Sequence, residues 1–333
     1  MKRHLRTYGL LLGMILSFSS NGQDPVFSQF YSAPLNINAA FTGNTLAPFF
    51  AANYRNQWTS LGGIQAYRTY ALSYSQFFES FNSGIGVSLL TDDAGEGLIN
   101  THIGRLSYAY RVQVNRNLSF KLGAEAGAIQ TRLDWDKLIF YDQLENESEI
   151  INPTAEIRPD DLNRTKLDVG AGFLAYTPKF YVGLSLKHLN TPDQVFIGSN
   201  NSLDTGLPLR MTIHGGAQIS LSKSNNQDLT SFLSPNVMLI KQGDFGQVNV
   251  GTYVGLGKIY GGAWYRHAWS NPDAMIFLLG FQQDKFKIGY SFDLRLPGEL
   301  NLSNTGGTHE ISLILDFEGP RKSDLNDCFQ MFR

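Results

Sequence analysis

From about residue 47 onward, the sequence alternates between apolar and polar positions with a period of two. The clearest example is 285–295, and the same alternation recurs in 66–75, 102–111 and 310–317. One face of 285–295 carries Phe286, Ile288, Tyr290, Phe292 and Leu294, and the other carries Lys285, Lys287, Gly289, Ser291, Asp293 and Arg295. Alternation of this kind predicts β-strands with one apolar and one polar face.

The alternating stretches predict fourteen strands. They lie near 47–57, 65–77, 84–91, 100–112, 117–130, 166–176, 179–189, 209–220, 230–242, 244–256, 259–268, 275–283, 285–295 and 308–317. Short and long connections mostly take turns along the chain, with 221–229 and 243 as the two departures. Short turns at one end and long loops at the other are typical of outer-membrane barrels, and an even strand number returns the chain to its starting side.

Composition changes this picture only slightly. Charged residues make up 17% of the chain, below the usual share of about 25%, which suits a protein with one face in lipid. Because a soluble β-sandwich has similar composition and periodicity, the loop lengths decide between a sandwich and a membrane barrel. In lipid, only helices and closed sheets satisfy every backbone N–H and C=O group. The predicted fold is therefore an all-β, antiparallel transmembrane barrel of about fourteen strands, spanning 47–317.

The first 22 residues have the pattern of a secretory signal peptide. Lys2, Arg3 and Arg6 precede the apolar run 10–18, and small residues precede a plausible cleavage point before Gln23. The alternative is an ordinary N-terminal helix. Removing the three basic residues takes the formal net charge from −2 to −5. A mildly acidic mature chain gives no reason to expect a nucleic-acid partner.

The sequence contains no recognisable catalytic or metal-binding motif. The histidines after the signal are widely spaced, and neither metal-binding nor nucleophile motifs occur. We therefore predict no enzyme, no cofactor, and no catalytic or metal residue, although a lipid hydrolase whose Ser, His and acid meet across a barrel stays open. The acidic stretch 92–97 suits a glycine-containing turn better than a cation site. Cys328 is the only cysteine, which excludes a disulfide within the chain.

Two segments stand apart from the strands. The insert 131–165 is rich in Asp and Glu, and is interpreted as a solvated loop or as a docking or gating loop. The stretch 23–46 is aromatic, contains Pro25 and Pro34, and carries one charge, at Asp24. Its prolines disfavour a regular strand. An apolar segment of this kind is expected to tuck into the barrel as a plug-like periplasmic segment or to bind a protein partner.

The residues of that stretch, QDPVFSQFYSAPLNINAAFTG at 23–43, resemble the opening of the PorP/SprF family of type IX secretion system membrane proteins. Ala39 departs from the resemblance, since proline is expected there. Similarity extends over nearly the whole mature chain. It includes the stretches 54–58, 84–87, 92–95, 106–110, 123–138 and 310–313.

The resemblance implies a non-catalytic outer-membrane barrel. The even strand number predicts that both termini lie in the periplasm, including a short tail at 318–333. The resemblance also implies a part in protein secretion and gliding motility, with the C-terminal domain of a secreted adhesin or periplasmic secretion components as partners. A solute-conducting porin is the alternative. Partner binding is expected at Asp24, Pro25, Phe27, Ser28, Gln29, Phe30, Tyr31, Pro34, Asn38, Arg55 and Trp58.

Overall fold

A computed structural model describes residues 23–59, 66–145, 149–150, 154–193, 206–221, 231–269, 271–296, 306–317, 328–329 and 332. Fourteen long strands lie within these ranges, all close to the predicted positions. They are β1 (Phe49–Gln57), β2 (Tyr67–Phe78), β3 (Ser83–Ala94), β4 (Ile99–Gln113), β5 (Ser119–Leu133), β6 (Asn163–Tyr176), β7 (Phe180–Lys187), β8 (Arg210–Ala217, continued by Ile219–Ser220), β9 (Ser231–Gln242), β10 (Phe245–Leu256), β11 (Ile259–Ala268), β12 (Pro272–Gln283), β13 (Phe286–Arg295) and β14 (Thr308–Asp316).

The strands form one closed antiparallel barrel. Each strand pairs with its neighbours in chain order, and β14 closes the ring by pairing with β1 from Phe49 opposite Asp316 to Gln57 opposite Thr308. Closure removes the two free edges that an open sheet exposes. The predicted fold class is confirmed. No helix in the described ranges is long and apolar enough to cross a membrane.

The two faces of the strands separate as the alternation predicts. In β4, Leu106 is 67% exposed on the outer face, whereas Arg105 is only 5% exposed on the inner face. In β13, Ile288 and Tyr290 point outward, while Lys287 and Asp293 are buried inside. An apolar outer band around a polar interior is the arrangement expected for a barrel in a bilayer.

The two ends of the barrel differ in their connections. We call the end with the longer connections the loop end; it includes 134–162, 188–209 and 296–307. The opposite end, with the tight connections 257–258 and 284–285, is the turn end. The two predicted departures are present, because 243–244 is short at the loop end and 221–230 is long at the turn end. β1 begins and β14 ends at the turn end, as an even strand number requires.

Shorter structures lie outside the long strands, among them the 3-10 turn Glu79–Phe81 between β2 and β3. The acidic insert contains a hairpin, Leu144–Glu145 with Glu149–Ile150, and the 3-10 turns Trp135–Lys137 and Tyr141–Gln143. Before β1, the chain forms the short helical segments Phe30–Ser32, Pro34–Ile37 and Ala39–Phe41. Pro34 occupies the first helical position, where its missing N–H and fixed φ are tolerated.

Candidate functional site inside the barrel

The segment 23–46, here called the N-terminal segment, runs through the lumen from the loop end to the turn end. Near its start, Asp24 bonds to His188 and Arg210, which lie at the loop ends of β7 and β8. Near its finish, the Thr45 carbonyl accepts a hydrogen bond from the Phe77 N–H at the turn end, at 2.9 Å. The start of the N-terminal segment therefore lies at the loop end, whereas β14 finishes at the turn end.

One side of the lumen binds the main chain of this segment through a carboxylate. The two oxygens of Glu310 accept hydrogen bonds from the backbone N–H groups of Ser28 and Gln29, both at 2.8 Å. The Gln29 side chain donates to the Glu310 carbonyl at 2.9 Å. Each of these three residues is at most 4% exposed. The wall thus satisfies backbone donors that would otherwise be buried without partners, which matters because such donors are costly to leave unpaired.

Charged residues from four strands surround this contact, and we name them the Glu310 cluster. The cluster consists of Arg55, Arg266, Asp293 and Glu310. Arg55 reaches Glu310 at 3.2 Å, and Arg266 reaches Asp293 at 2.9 Å. The Ser28 hydroxyl donates to Asp293 at 2.6 Å and accepts from Arg55 at 2.6 Å. Every charge in the cluster has an opposite partner, as buried charges need.

The opposite side of the lumen holds the start of the segment in a second set of charges, the Asp24 cluster. Its members are Asp24, Arg105, Glu125, Asp168, Lys187, His188 and Arg210. The two ring nitrogens of His188 lie 2.7 Å from Asp24 and 2.8 Å from Asp168. Only the imidazolium form donates from both nitrogens. Two carboxylates therefore favour a charged His188.

The pKa values of the two groups outside the strands follow from this geometry. Burial alone raises the pKa of Asp24, but its hydrogen bond to His188 and the nearby Arg210 outweigh burial and hold that pKa well below its usual range. Burial alone lowers the pKa of His188, but its bonds to Asp168 and Asp24 outweigh burial and raise that pKa. Both shifts favour the ion pair.

Farther along the N-terminal segment, aromatic packing holds it in the lumen. The Tyr31 ring stacks on Trp264 with centroids 6.0 Å apart and meets Tyr253 edge to face at 5.1 Å. The Lys287 ammonium lies 4.7 Å from the centroid of Tyr260 and 5.0 Å from that of Tyr253. Aromatic rings and a cation over their faces are mutually attractive. The lumen is therefore filled by side chains at this depth.

Asn38 fixes the middle of the segment to the wall. Its side-chain oxygen accepts from the Ala40 N–H at 2.8 Å, and its side-chain nitrogen donates to the carbonyls of Phe173 and Leu184, both at 3.1 Å. The wall provides room through Gly172, where a Cβ atom would overlap the Asn38 amide. Glycine inside a strand here permits the close approach of a second backbone.

The described residues of the C-terminal tail lie in the same lumen, near the turn end. Phe329 and Phe332 are each 1% exposed, and Cys328 is 2% exposed. The Phe332 ring lies 4.5 Å from that of Phe41, and the Phe329 ring lies 5.0 Å from that of Tyr176. The N-terminal segment and the C-terminal tail therefore meet inside the barrel.

The structure brings the predicted partner-binding residues together, and most of them lie inside the lumen or in its wall. Among the most buried are Phe27, Ser28, Gln29, Phe30, Tyr31, Asn38 and Arg55. Pro34 is also buried, and Asp24 and Pro25 are partly buried near the loop end. Trp58 lies at the loop end of β1, where it packs against Tyr67 and Arg295. Their binding of an outside partner stays a prediction.

Apart from Arg55, the wall residues that hold the N-terminal segment were not among the predicted sites. They include Arg105, Asp168, His188, Arg210, Arg266, Asp293 and Glu310. Most of them occupy the polar face of an alternating strand, which is the one feature of the sequence that marks them. The acidic stretch 92–97 is also engaged, because Asp92 accepts from Thr69 and Asp93 pairs with Arg68. No metal-binding group of three His, Cys, Asp or Glu residues occurs in the described ranges.

Several solved barrels are similar to this chain at low identity. Omp33 of Acinetobacter baumannii is 9% identical, with 82% of this chain and 99% of that chain covered and a TM-score of 0.45. CdiB of the same organism is 7% identical, covering 81% of this chain and 60% of its own, also with a TM-score of 0.45. A mutant of the Rh. blastica porin is 7% identical, with 82% and 99% covered and a TM-score of 0.35.

Comparison with curated proteins finds no match. By contrast, the family described as type IX secretion system membrane protein PorP/SprF matches residues 19–315. This match spans the N-terminal segment and thirteen of the strands completely, together with nearly all of β14. The chain therefore belongs to the PorP/SprF family of type IX secretion system membrane proteins.

Proposed function

We propose that this protein is a non-catalytic docking platform of the type IX secretion system in the bacterial outer membrane. Its partner is the C-terminal domain of a secreted adhesin or a periplasmic component of the system. The observation that supports a platform over a passage is the filled lumen. Tyr31 and Phe41 of the N-terminal segment have no exposed surface, and they lie where an open channel would need water.

The lengths of the connections support one orientation of the barrel. With the loop end outward, as in barrels with long extracellular loops, the end of β14 faces the periplasm. Gln23 is then at the extracellular end, unlike the periplasmic position expected from the sequence. Residues 1–22 are proposed to be a signal peptide, and 318–333 a tail on the periplasmic side.

The alternative of a solute-conducting porin gains little support from the barrel. Lys287 and Asp293, which would line a pore, are 3% and 2% exposed. Both are occupied with partners on the wall or the N-terminal segment. Planar-bilayer recordings on the purified protein distinguish the two functions, because a porin gives steady conductance and the docking platform gives none.

The docking function is tested by deletion in the native bacterium. Loss of the gene is expected to abolish surface display of a specific secreted adhesin while leaving permeability to small solutes unchanged. Pull-down from detergent-solubilised outer membranes, read by mass spectrometry, then identifies the partner. Normal display of all surface proteins in the deletion strain would rule out the proposal.

A further inference from the structure

The Asp24 cluster has the construction of a ligand site. The side chain of Asp24 is 9% exposed and is the only member of the cluster that comes from the N-terminal segment; the other six belong to the barrel wall or its loop end. On the wall, His188 and Arg210 both direct nitrogen atoms at the same Asp24 oxygen, at 2.7 and 3.2 Å. The Asp24 carboxylate therefore binds a cationic surface that the barrel wall forms.

The charges of the wall need an anion at this position. With His188 charged, the described cluster contains four cations and three carboxylates. Removing Asp24 would leave an excess of two positive charges in a buried space. Uncompensated buried charge is strongly unfavourable, so the vacant site would attract an anion.

Unused donors add a second, independent indication. The Nε atom of Arg210 and the Nη2 atom of Arg105 are buried and have no hydrogen-bond partner in the described part of the chain. Arg210 also lines a small cavity beside Pro25 and Val26. A guanidinium offers its donors in a fork that matches a carboxylate. The wall thus has more donor capacity than Asp24 uses.

The contacts of the N-terminal segment change in kind along its length. Asp24 and Ser28 are held mainly by ion pairs and hydrogen bonds, whereas Tyr31 and Phe41 are held by aromatic packing. Polar contacts can be replaced by an equivalent polar ligand, but buried aromatic packing cannot. Residues 23–26, which precede the buried Phe27, can accordingly detach while the remainder of the segment stays anchored.

We propose that His188, Arg210 and Arg105 form a carboxylate-binding site at the loop end of the lumen. Asp24 is its internal ligand, and a carboxylate supplied by another molecule can take its place. The ligand class is a carboxylate-bearing molecule, such as an acidic peptide. Occupation from outside frees the start of the N-terminal segment at the loop end. This site is independent of the identity of the docking partner.

The test uses the full-length protein in detergent, with acetate as the probe. Asp24→Gly removes the internal carboxylate and leaves space for acetate. Hydrogen exchange of the Asp24 amide, which donates to Gln242 at 3.0 Å, reports on the attachment of the start of the segment. Because acetate binds folded Asp24→Gly but not the unfolded chain, acetate at ten times its dissociation constant should lower the unfolding equilibrium constant of this variant about elevenfold. In the wild type, acetate competes with Asp24 and should instead speed exchange of the Asp24 amide.

Sodium chloride at equal ionic strength and pH controls for screening. Arg210→Met in the Asp24→Gly background removes the fork and should abolish the response to acetate. Asp136→Gly, in an exposed loop, is the matched acidic control and should exchange like the wild type. Equal effects of acetate and chloride, or a full acetate response without Arg210, would overturn the proposal. If Asp24→Gly does not fold, Asp24→Ala serves in the same comparison.

Discussion

Replacing Glu310 by glutamine removes the charge that binds the main chain of the N-terminal segment while keeping the shape of the side chain. The carboxylate accepts from Ser28 and Gln29 at 2.8 Å and pairs with Arg55 at 3.2 Å. In Glu310→Gln, an NH₂ group necessarily faces one of these donors. A hydrogen bond to a charged group contributes about 1.5–3 kcal/mol, and a buried donor left unpaired adds a further penalty.

We expect the free energy that keeps residues 28–29 attached to fall by about 3 kcal/mol. Since each 1.4 kcal/mol is a factor of ten, local opening should become roughly a hundredfold more frequent. Hydrogen exchange with mass spectrometry, on peptides covering 24–32, measures this directly. Exchange in β5 should stay unchanged if the barrel itself is intact.

Glu156→Gln is the matched control, because Glu156 lies exposed in the acidic insert. It should leave exchange at 24–32 at the wild-type rate. The role assigned to Glu310 is refuted if Glu310→Gln and Glu156→Gln give the same exchange there. A uniform increase over all strands would also refute it, because that result means a general loss of barrel stability.

Three further predictions concern other contacts of the lumen. Gly172→Ala places a methyl group against Asn38, so it should lower barrel stability by about 1–3 kcal/mol, measured as a lower unfolding temperature than for an alanine at an unobstructed glycine. The pKa of His188 is raised from 6.5 and that of Asp24 is lowered from 3.8. The stability from His188 is therefore complete below pH 6.5 and lost as pH rises through its folded-state pKa, while that from Asp24 is complete above pH 3.8. Exchange at 24–28, corrected for intrinsic rates, should thus be slowest between these values; exchange that stays constant from pH 6 to 9 would contradict this. Phe332→Ala should weaken tail docking by about 3–5 kcal/mol, seen as faster proteolysis of the tail with no change in the barrel.

The strands and their two faces were determined by local sequence. Each of the fourteen predicted strands is present, and alternation correctly placed Lys287 and Asp293 inside and Ile288 and Tyr290 outside. This succeeds because successive side chains of a strand point to opposite faces, whatever the strand pairs with. The alternation of short and long connections then indicated which strand ends lie at the same end of the barrel.

The lumen contacts could not be predicted, because ring closure creates them. Arg55 and Glu310 are 255 positions apart, yet they meet because β14 pairs with β1. Asp24 and His188 are 164 positions apart and meet only after the N-terminal segment has turned back through the barrel. The sequence indicated that this apolar segment must be buried. The tertiary structure decided that the segment runs from the loop end to the turn end. Only the closed barrel places a partner for each buried charge and backbone donor along that path.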